Sequence, residues 1–177
     1  LYGACFYGMS NMTEATLPEG FKILGDTCFY GCSSLKELKF PETLAEIRYQ
    51  CFMGCNSLQE LTLPESLTTI RDSAFYGDSE LILTILSRTV SISNGDTLQV
   101  KKIRGYIAST AEEYASKYDI EFEALNKLAS VSIKTEPKRT EYWPLDTVNT
   151  SGLTLEVTDE DGVSVEVTSG FDVDVPD

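Results

Sequence analysis

The sequence contains no histidine, and this absence narrows the possible chemistry at once. Without an imidazole, the chain has no Ser-His-Asp triad, no Cys-His nucleophile pair and none of the histidine-containing sites that most zinc enzymes use. A pair of carboxylates, of the kind that hydrolyses glycosides, stays open as a catalytic alternative.

Basic residues are also scarce. The chain has 14 lysines and arginines against 28 aspartates and glutamates, which gives a formal net charge of -14. Nucleic acids and anionic membranes bind to a basic face, and only Lys101, Lys102 and Arg104 cluster, so we expect neither partner. No apolar run approaches the roughly 20 residues of a transmembrane helix, so we expect no direct membrane insertion.

What the sequence does contain is a repeat with a spacing of 23 residues. Phe6, Phe29, Phe52 and Phe75 keep this spacing, and a glycine follows each of them two positions later. Further apolar columns share the register: Met12, Leu35, Leu58 and Leu81; Leu17, Phe40, Leu63 and Leu86; Phe21, Leu44, Leu67 and Val90; Leu24, Ile47 and Ile70. So short a unit buries its apolar side chains only by stacking on its neighbours, and the period therefore predicts a solenoid. Because the sequence begins at Leu1 inside a repeat, we expect a fragment or a processed product.

One unit of the repeat predicts a strand followed by a segment that runs back along the other side of the solenoid. Polar and apolar residues alternate from Glu37 to Phe40, which is the period of a strand with one buried face. Pro41 ends the strand, because proline lacks the N–H that a ladder needs. Leu44 and Ile47 bring the chain back along the other side. Leucine-rich repeats of about 20 to 29 residues are built in this way.

Two runs make the pattern specific. They are Cys-Phe-Tyr-Gly-Cys-Ser-Ser-Leu at 28 to 35 and Cys-Phe-Met-Gly-Cys-Asn-Ser-Leu at 51 to 58, each followed by an apolar-Pro-Glu strand end. With these runs, residues 1 to 124 resemble the BspA-like leucine-rich repeats of bacterial surface proteins. The resemblance implies a mostly β solenoid in a protein that is secreted or held at the bacterial cell surface. It also implies a module that is often an adhesin and has no enzymatic activity in its repeats.

The fourth copy of the repeat is weaker than the others. Asp78 replaces the second cysteine, Thr84 replaces an inward leucine, and Ser87 replaces the proline.

A capping helix is expected after this copy, near residues 109 to 118. Ser109-Thr110-Ala111-Glu112 has the form of a capping box. The residues that then share one helical face are Ala111, Tyr114, Ala115 and Tyr118. Because the end of a solenoid exposes its core, such a helix is predicted to act as a C-terminal cap.

Residues 125 to 177 change pattern and predict a second domain. The signals are alternation at Val131 and Ile133, a break at Tyr142-Trp143-Pro144, strands at 153 to 157 and 163 to 167, and a hairpin turn at Asp161-Gly162. Their order resembles the start of a bacterial Ig-like domain. The resemblance implies part of an Ig-like β-sandwich, incomplete in this sequence.

The five cysteines allow two interpretations. Cys28, Cys32, Cys51 and Cys55 have the number of thiolates of a structural zinc site. Alternatively, they are small apolar side chains stacked along the repeat axis, where buried cysteine behaves as a hydrophobe. We favour the second interpretation and expect five reduced, buried and unlinked thiols, with no bound metal and no cofactor.

The glycosidase alternative depends on whether the acidic residues that recur along the repeats could form a catalytic pair. Glu14, Glu37 and Glu60 occupy the same outward position of successive units. Such a ladder is usually a solvated face, so we expect no catalytic residues and no enzyme.

The outward side chains of the predicted strands define the candidate site. They are Glu14 and Thr16, Glu37 and Lys39, Glu60 and Thr62, and then Leu83 and Ile85. Solenoids present such continuous strips to macromolecules, whereas small molecules bind in pockets. We therefore expect ligand binding at Glu37, Lys39, Glu60 and Thr62. A ladder of Tyr7, Tyr30, Met53 and Tyr76 is the alternative, as an aromatic shelf for sugars or a protein partner.

Two hypotheses follow for function. The first is a non-catalytic binding or adhesion module that presents its sheet face to a protein or another cell-surface macromolecule. The second is a structural stalk, or an accessory module of a larger surface enzyme. Flanking sequence with a catalytic domain or a wall anchor would distinguish them.

Overall fold

The structure, a computed structural model, describes residues 3–95, 97–138 and 151–168. Its strands are β1 (Glu14–Thr16), β2 (Ile23–Leu24), β3 (Glu37–Lys39), β4 (Glu46–Ile47), β5 (Glu60–Leu63), β6 (Thr69–Ile70), β7 (Ile82–Ile85), β8 (Ser91–Ile92), β9 (Lys102–Gly105), β10 (Glu121–Ala124), β11 (Leu128–Thr135), β12 (Thr154–Asp159) and β13 (Ser164–Val167). The helix α1 (Thr110–Lys117) lies between β9 and β10. In the part of the chain described, no helix is long and apolar enough to cross a bilayer. The chain divides into two compact units, Leu1–Leu125 and Asn126–Asp177.

The first unit is a solenoid built from two strips of parallel strands. Strands β2, β4, β6 and β8 form one continuous strip, here called the short-strand strip. The second strip runs β1-β3 and then β5-β7-β9-β10, and its outward surface is here called the sheet face. Each of the first four repeats contributes one strand to each strip. This arrangement confirms the predicted mostly β solenoid with one short helix.

A stack of phenylalanine rings forms the centre of the solenoid core. Phe29, Phe52 and Phe75 are fully buried, with ring centroids 5.3 Å apart for Phe29 and Phe52 and 5.0 Å apart for Phe52 and Phe75. Phe6 stacks on Phe29 at 4.9 Å but is only half-buried. The predicted burial of the column is thus confirmed for its three later members.

The turn after each of these phenylalanines requires glycine. Gly8, Gly31, Gly54 and Gly77 have φ angles between 71° and 86°, in the left-handed region where a side chain strains the backbone. Successive turns also pass close to one another, because a Cβ on Gly54 would lie 3.7 Å from the Cα of Gly31. The glycine column therefore permits the tight return that the sequence pattern predicts.

The repeat does not keep a constant length, and this corrects the sequence alignment of the fourth copy. Glu14 pairs with Glu37, 23 residues later, but Glu60 pairs with Ile82, 22 residues later. Side chains alternate along a strand, so a shift of one residue exchanges the two faces. Leu83 and Ile85, expected outside, are fully buried, and Thr84, expected inside, is the outward register partner of Thr62.

The helix caps the solenoid as predicted. The side chain of Ser109 accepts a hydrogen bond from the backbone N–H of Glu112 at 3.3 Å. The Glu112 carboxylate accepts from the N–H of Ala108 at 2.5 Å, one residue before the partner that a capping box predicts. The hydroxyl of Tyr114 donates to the carbonyl of Gly95 at 2.6 Å. The helix is thereby attached to the last turns of the solenoid.

The second unit contains the predicted hairpin. Strands β12 and β13 pair antiparallel, and β11 pairs antiparallel with β12 on its other edge. The carboxylate of Asp159 accepts hydrogen bonds from the N–H groups of Asp161 (3.0 Å) and Val163 (2.9 Å), which fixes the turn. The described residues of this unit form a three-stranded sheet, so the two-sheet Ig-like sandwich stays a prediction. Tyr142-Trp143-Pro144 lies outside the described residues.

The five cysteines are thiols, and four of them are fully buried. Cys32 donates its S–H to the carbonyl of Phe6, and Cys55 donates to that of Phe29, each at 3.1 Å. Cys5 is exposed, which corrects the expected burial, because it lies on the first described turn, at the edge of the stack. Among the described residues, no group of three cysteine, aspartate or glutamate side chains lies close enough together to hold a metal ion.

Candidate binding face

The four predicted binding residues lie on neighbouring strands of the sheet face. Glu37 and Lys39 are exposed on β3, on either side of the buried Leu38. Glu60 and Thr62 are exposed on β5, on either side of the buried Leu61. The alternation of the strand produces this arrangement, because every second side chain must enter the core.

The sheet is interrupted between these two strands. β3 pairs with β1 and β5 pairs with β7, but β3 and β5 belong to separate ladders. On the other side of the same repeats, β4 and β6 pair in register, and Phe29 donates its N–H to the carbonyl of Cys51 at 2.8 Å. The two repeats are therefore stacked through the core, and at the sheet face β3 and β5 are neighbours that form no hydrogen-bonded ladder with each other.

A groove of about 450 Å³ lies along these two strands and is here called the β3–β5 groove. Its lining is Lys36, Glu37, Leu38, Lys39, Phe40, Glu42, Glu60, Leu61, Thr62, Pro64 and Leu86. All four predicted residues are among them. A smaller groove of about 270 Å³ continues the depression between β1 and β3, where it is lined by Glu14, Ala15, Thr16, Glu37 and Lys39.

Beyond β5, the charges of the sheet face neutralise one another. Lys102 on β9 binds Glu121 at 2.9 Å and Glu123 at 3.0 Å, and Arg104 binds Glu123 at 3.2 Å. Hydrogen bonds from Lys102 and Arg104 lower the pKa of Glu123, and the bond to Glu121 raises the pKa of Lys102. Arg104 also reaches Glu60 at 3.5 Å. Of the four predicted residues, Glu60 is thus already committed to an ion pair.

Sequence reasoning missed this network and misplaced one end of the strip. With the shortened fourth repeat, the outward residues of β7 are Ile82 and Thr84, and the strip then continues over β9 and β10. It therefore changes from charged to neutral and back to charged, whereas the expected outward pair of Leu83 and Ile85 would have made its end apolar. The sequence does contain a pattern that predicts these two strands. Polar and apolar residues alternate in Lys-Ile-Arg at 102 to 104 and in Glu-Phe-Glu at 121 to 123, and each apolar residue marks an inward position.

Part of the tyrosine ladder has its ring faces covered by stacking. Tyr7 and Tyr30 stack in parallel, with centroids 5.0 Å apart and an interplanar angle of 7°. Tyr7 is 57% exposed and Tyr76 is 39% exposed. A sugar ring packs against an open aromatic face, and the face between Tyr7 and Tyr30 is closed by the stack.

A second depression of about 360 Å³ lies beside the short-strand strip. Its basic residues Arg48 and Arg71 both bind Glu46, at 3.4 Å and 2.9 Å. Because its arginines are paired within the protein, this depression offers less uncommitted charge than the β3–β5 groove.

Comparison with solved structures finds the same fold. The chain has a TM-score of 0.54 to the crystal structure of the leucine-rich repeat protein of T. pallidum, with 27% sequence identity. That alignment covers 59% of this chain and 50% of the T. pallidum chain, so the present chain spans about half of that protein's length. A leucine-rich repeat protein from Bacteroides ovatus gives a TM-score of 0.55 at 24% identity, covering 69% of this chain and 32% of that one.

Comparison at the level of sequence identifies the repeats. A search of curated proteins finds no match to this chain. The model of the BspA type leucine-rich repeat region matches residues 1–111 in six copies, which is most of the unit that forms the solenoid. The chain belongs to the BspA-type leucine-rich repeat family.

Proposed function

We propose that this chain is a non-catalytic binding module of a bacterial cell-surface protein, and that it holds a partner protein on its sheet face. Family membership supports this proposal, because leucine-rich repeats generally mediate contacts between proteins. The partner belongs to a host or to another cell surface, and the second unit acts as an Ig-like spacer. The proposed contact residues are Glu37, Lys39, Glu60 and Thr62.

One observation carries the choice of site. In the described structure, the side chains of Glu37, Lys39 and Thr62 make no hydrogen bond or ion pair, whereas Lys102, Arg104 and Glu123 on the same face are fully engaged with one another. A charged group without an internal partner keeps its full capacity to bind another molecule. The β1-to-β5 half of the sheet face is therefore the half best suited to an incoming protein.

A macromolecular partner also fits the charge distribution better than a saccharide does. Glu37 and Lys39 place opposite charges on one strand, and such pairs favour a protein surface with the complementary pattern. A saccharide packs against an open aromatic face, and stacking covers one ring face of Tyr7 and one of Tyr30.

Charge reversal tests this proposal once a partner is in hand. The wild-type chain, immobilised, is first used to capture proteins from host extracellular matrix, and the captured protein is identified. We then expect the triple variant Glu37→Lys, Lys39→Glu, Glu60→Lys to bind it at least about tenfold more weakly, which corresponds to about 1.4 kcal/mol. Wild-type binding should also weaken as salt rises, since exposed charges are screened.

A matched variant controls for the change of net charge. Glu19→Lys, Lys22→Glu and Glu65→Lys make the same three changes at exposed positions in the turns after β1 and β5. This control should bind as the wild type does. Equal loss in both triples, or no loss in either, would contradict the proposed site, and failure of the wild type to capture any protein would favour the stalk hypothesis.

A further inference from the structure

We propose that Asn94 is a site of spontaneous deamidation, that docking of the end of α1 on Asn94 and Gly95 restrains the reaction, and that the product releases this end of the cap. The proposal is independent of the binding function proposed above, because none of these residues lies on the sheet face.

The dipeptide Asn94-Gly95 has the chemistry of a deamidation site. No other asparagine in the sequence precedes a glycine. The backbone nitrogen of the following residue can attack the side-chain amide of asparagine, and glycine hinders this attack least because it has no Cβ. Both residues are exposed, and a Cβ built on Gly95 would meet no atom within 4 Å. Water therefore reaches the dipeptide.

Deamidation at this site needs no reactant except water. A bond forms between the Gly95 nitrogen and Cγ of Asn94. The proton of the Gly95 N–H passes through water to the side-chain nitrogen, which leaves as ammonia. Water then opens the resulting cyclic imide at either of its carbonyl groups. One opening leaves aspartate, and the other leaves isoaspartate, in which the main chain passes through the former side-chain methylene.

Both reacting groups of the dipeptide are held by the end of α1. The N–H of Gly95 donates to the hydroxyl of Tyr118 at 2.8 Å. Oδ1 of Asn94 accepts from Nζ of Lys117 at 2.7 Å and from the hydroxyl of Tyr118 at 3.3 Å. Attack requires the N–H to lose its proton and the amide to turn its Cγ toward the nitrogen, and these bonds oppose both steps. The reaction therefore proceeds from the state in which the end of α1 has opened.

The end of α1 can open while the rest of the helix stays in place. Lys117 is its last residue and is exposed, and Tyr118 is the C-cap, whereas Ala111 and Ala115 are fully buried against the solenoid. Local opening costs least where few apolar groups are buried and the hydrogen bonds face solvent. The bonds to Asn94 and Gly95 from Lys117 and Tyr118 are all exposed. Deamidation can thus accumulate in the folded protein.

Isoaspartate at this position loosens the cap. Gly95 is bound on both sides, because Tyr118 accepts from its N–H and the hydroxyl of Tyr114 donates to its carbonyl at 2.6 Å. An additional methylene in the main chain moves Gly95 relative to the turn that carries it, so we expect these bonds to be lost. Loosening the helix uncovers the core at this end of the solenoid.

Mass spectrometry of the aged protein tests the proposal. The wild type and Tyr118→Phe are incubated in warm, mildly alkaline buffer, and conversion of each asparagine is followed in peptide digests. Isoaspartate is counted by enzymatic methylation, which labels it and not aspartate. In the wild type, Asn94 should convert first. Tyr118→Phe removes the oxygen that binds the Gly95 N–H and should convert at least about tenfold faster. Amide hydrogen exchange in residues 110 to 118 should quicken as isoaspartate forms.

Tyr76→Phe is the matched control. It removes the hydroxyl of an exposed tyrosine in another repeat, and its Asn94 should convert at the wild-type rate. Lys117→Met removes the ammonium that binds Asn94 and should also speed conversion; it serves as the second variant if Tyr118→Phe lowers the melting temperature. Asn94→Gln lengthens the side chain and disfavours ring closure, so its helix should keep its hydrogen exchange through the incubation.

Four results would overturn the proposal. They are an Asn94 amide that outlasts the other asparagines, equal rates of conversion in Tyr118→Phe and Tyr76→Phe, a slower reaction in Lys117→Met, and unchanged hydrogen exchange in α1 after isoaspartate has formed. The third result would show that the ammonium promotes the attack, and the fourth that the cap does not depend on the dipeptide.

Discussion

Replacing Asp78 with asparagine is expected to stabilise the solenoid by about 4 kcal/mol at about pH 8, and by much less at about pH 4. Asp78 is 3% exposed, and neither of its carboxylate oxygens has a hydrogen-bond partner in the described structure. Burial raises the pKa of this carboxyl from 3.8 to about 7. One pKa unit corresponds to about 1.4 kcal/mol, so ionising Asp78 in the folded state costs about 4 kcal/mol.

The position of Asp78 in its column explains the missing partner. Cys32 and Cys55, two repeats and one repeat earlier, donate their S–H groups to the carbonyls of Phe6 and Phe29. An ionised aspartate has no hydrogen to donate. Asparagine carries N–H donors, and Asp78→Cys restores the thiol of the column, so both variants should be stabilising.

The direction of the pH dependence follows from linkage. Below about pH 3.8 the carboxyl is protonated in both the folded and the unfolded chain, so its contribution to stability is fully present. As pH rises toward about 7, the unfolded chain loses this proton first, and the stability contribution is lost. Above about pH 7 the destabilisation is complete and constant.

Thermal or chemical unfolding across this pH range checks the prediction. The stability difference between Asp78→Asn and the wild type should grow as pH rises from about 4 to about 8. Asp72→Asn removes the same formal charge at an exposed site and serves as the matched control. A difference between Asp78→Asn and the wild type that stays constant with pH would contradict a buried, raised-pKa carboxyl.

Phe52→Ala is expected to lower the free energy of unfolding by about 3 to 5 kcal/mol. Phe52 is fully buried and lies between two stacked rings, Phe29 on one side and Phe75 on the other. Removing its ring leaves a cavity that the neighbouring repeats close only in part. Chemical denaturation measures the loss.

Phe6→Ala is the matched control for this substitution. Phe6 belongs to the same column but is half-buried and has only Phe29 as a described stacking neighbour. Its loss should therefore cost less than that of Phe52. An unchanged melting temperature for Phe52→Ala, or equal losses at both positions, would show that stacking of the column does not hold the repeats together.

The periodic part of the fold was predictable because each repeat places the same residue types in the same environment. The phenylalanine and glycine columns, the Ser109 cap and the Asp161-Gly162 hairpin are local signals, and the structure confirms them. The one-residue shortening at β7 was not predictable from the columns, because Leu81 and Val90 keep the spacing of 23 on either side of it. Only pairing with β5 determines which leucines face inward.

The candidate face was predictable in part for the same reason. Glu37, Lys39, Glu60 and Thr62 point outward because Leu38 and Leu61 point inward, and alternation alone establishes this. The bond between Glu60 and Arg104 depends on the pairing of β9, which follows β7 after 20 residues and breaks the period. The interruption between β3 and β5 has no counterpart in the sequence, since both strands match the repeat equally well.

The central claim is that the partner binds over β3 and β5, and hydrogen–deuterium exchange of the complex tests it most directly. Exchange is compared between the chain alone and the chain saturated with the captured partner. The account predicts that slowing of amide exchange concentrates at residues 36 to 42 and 60 to 64, the two sides of the β3–β5 groove. Slowing confined to the short-strand strip or to the tyrosine ladder, with these two segments unchanged, would contradict it.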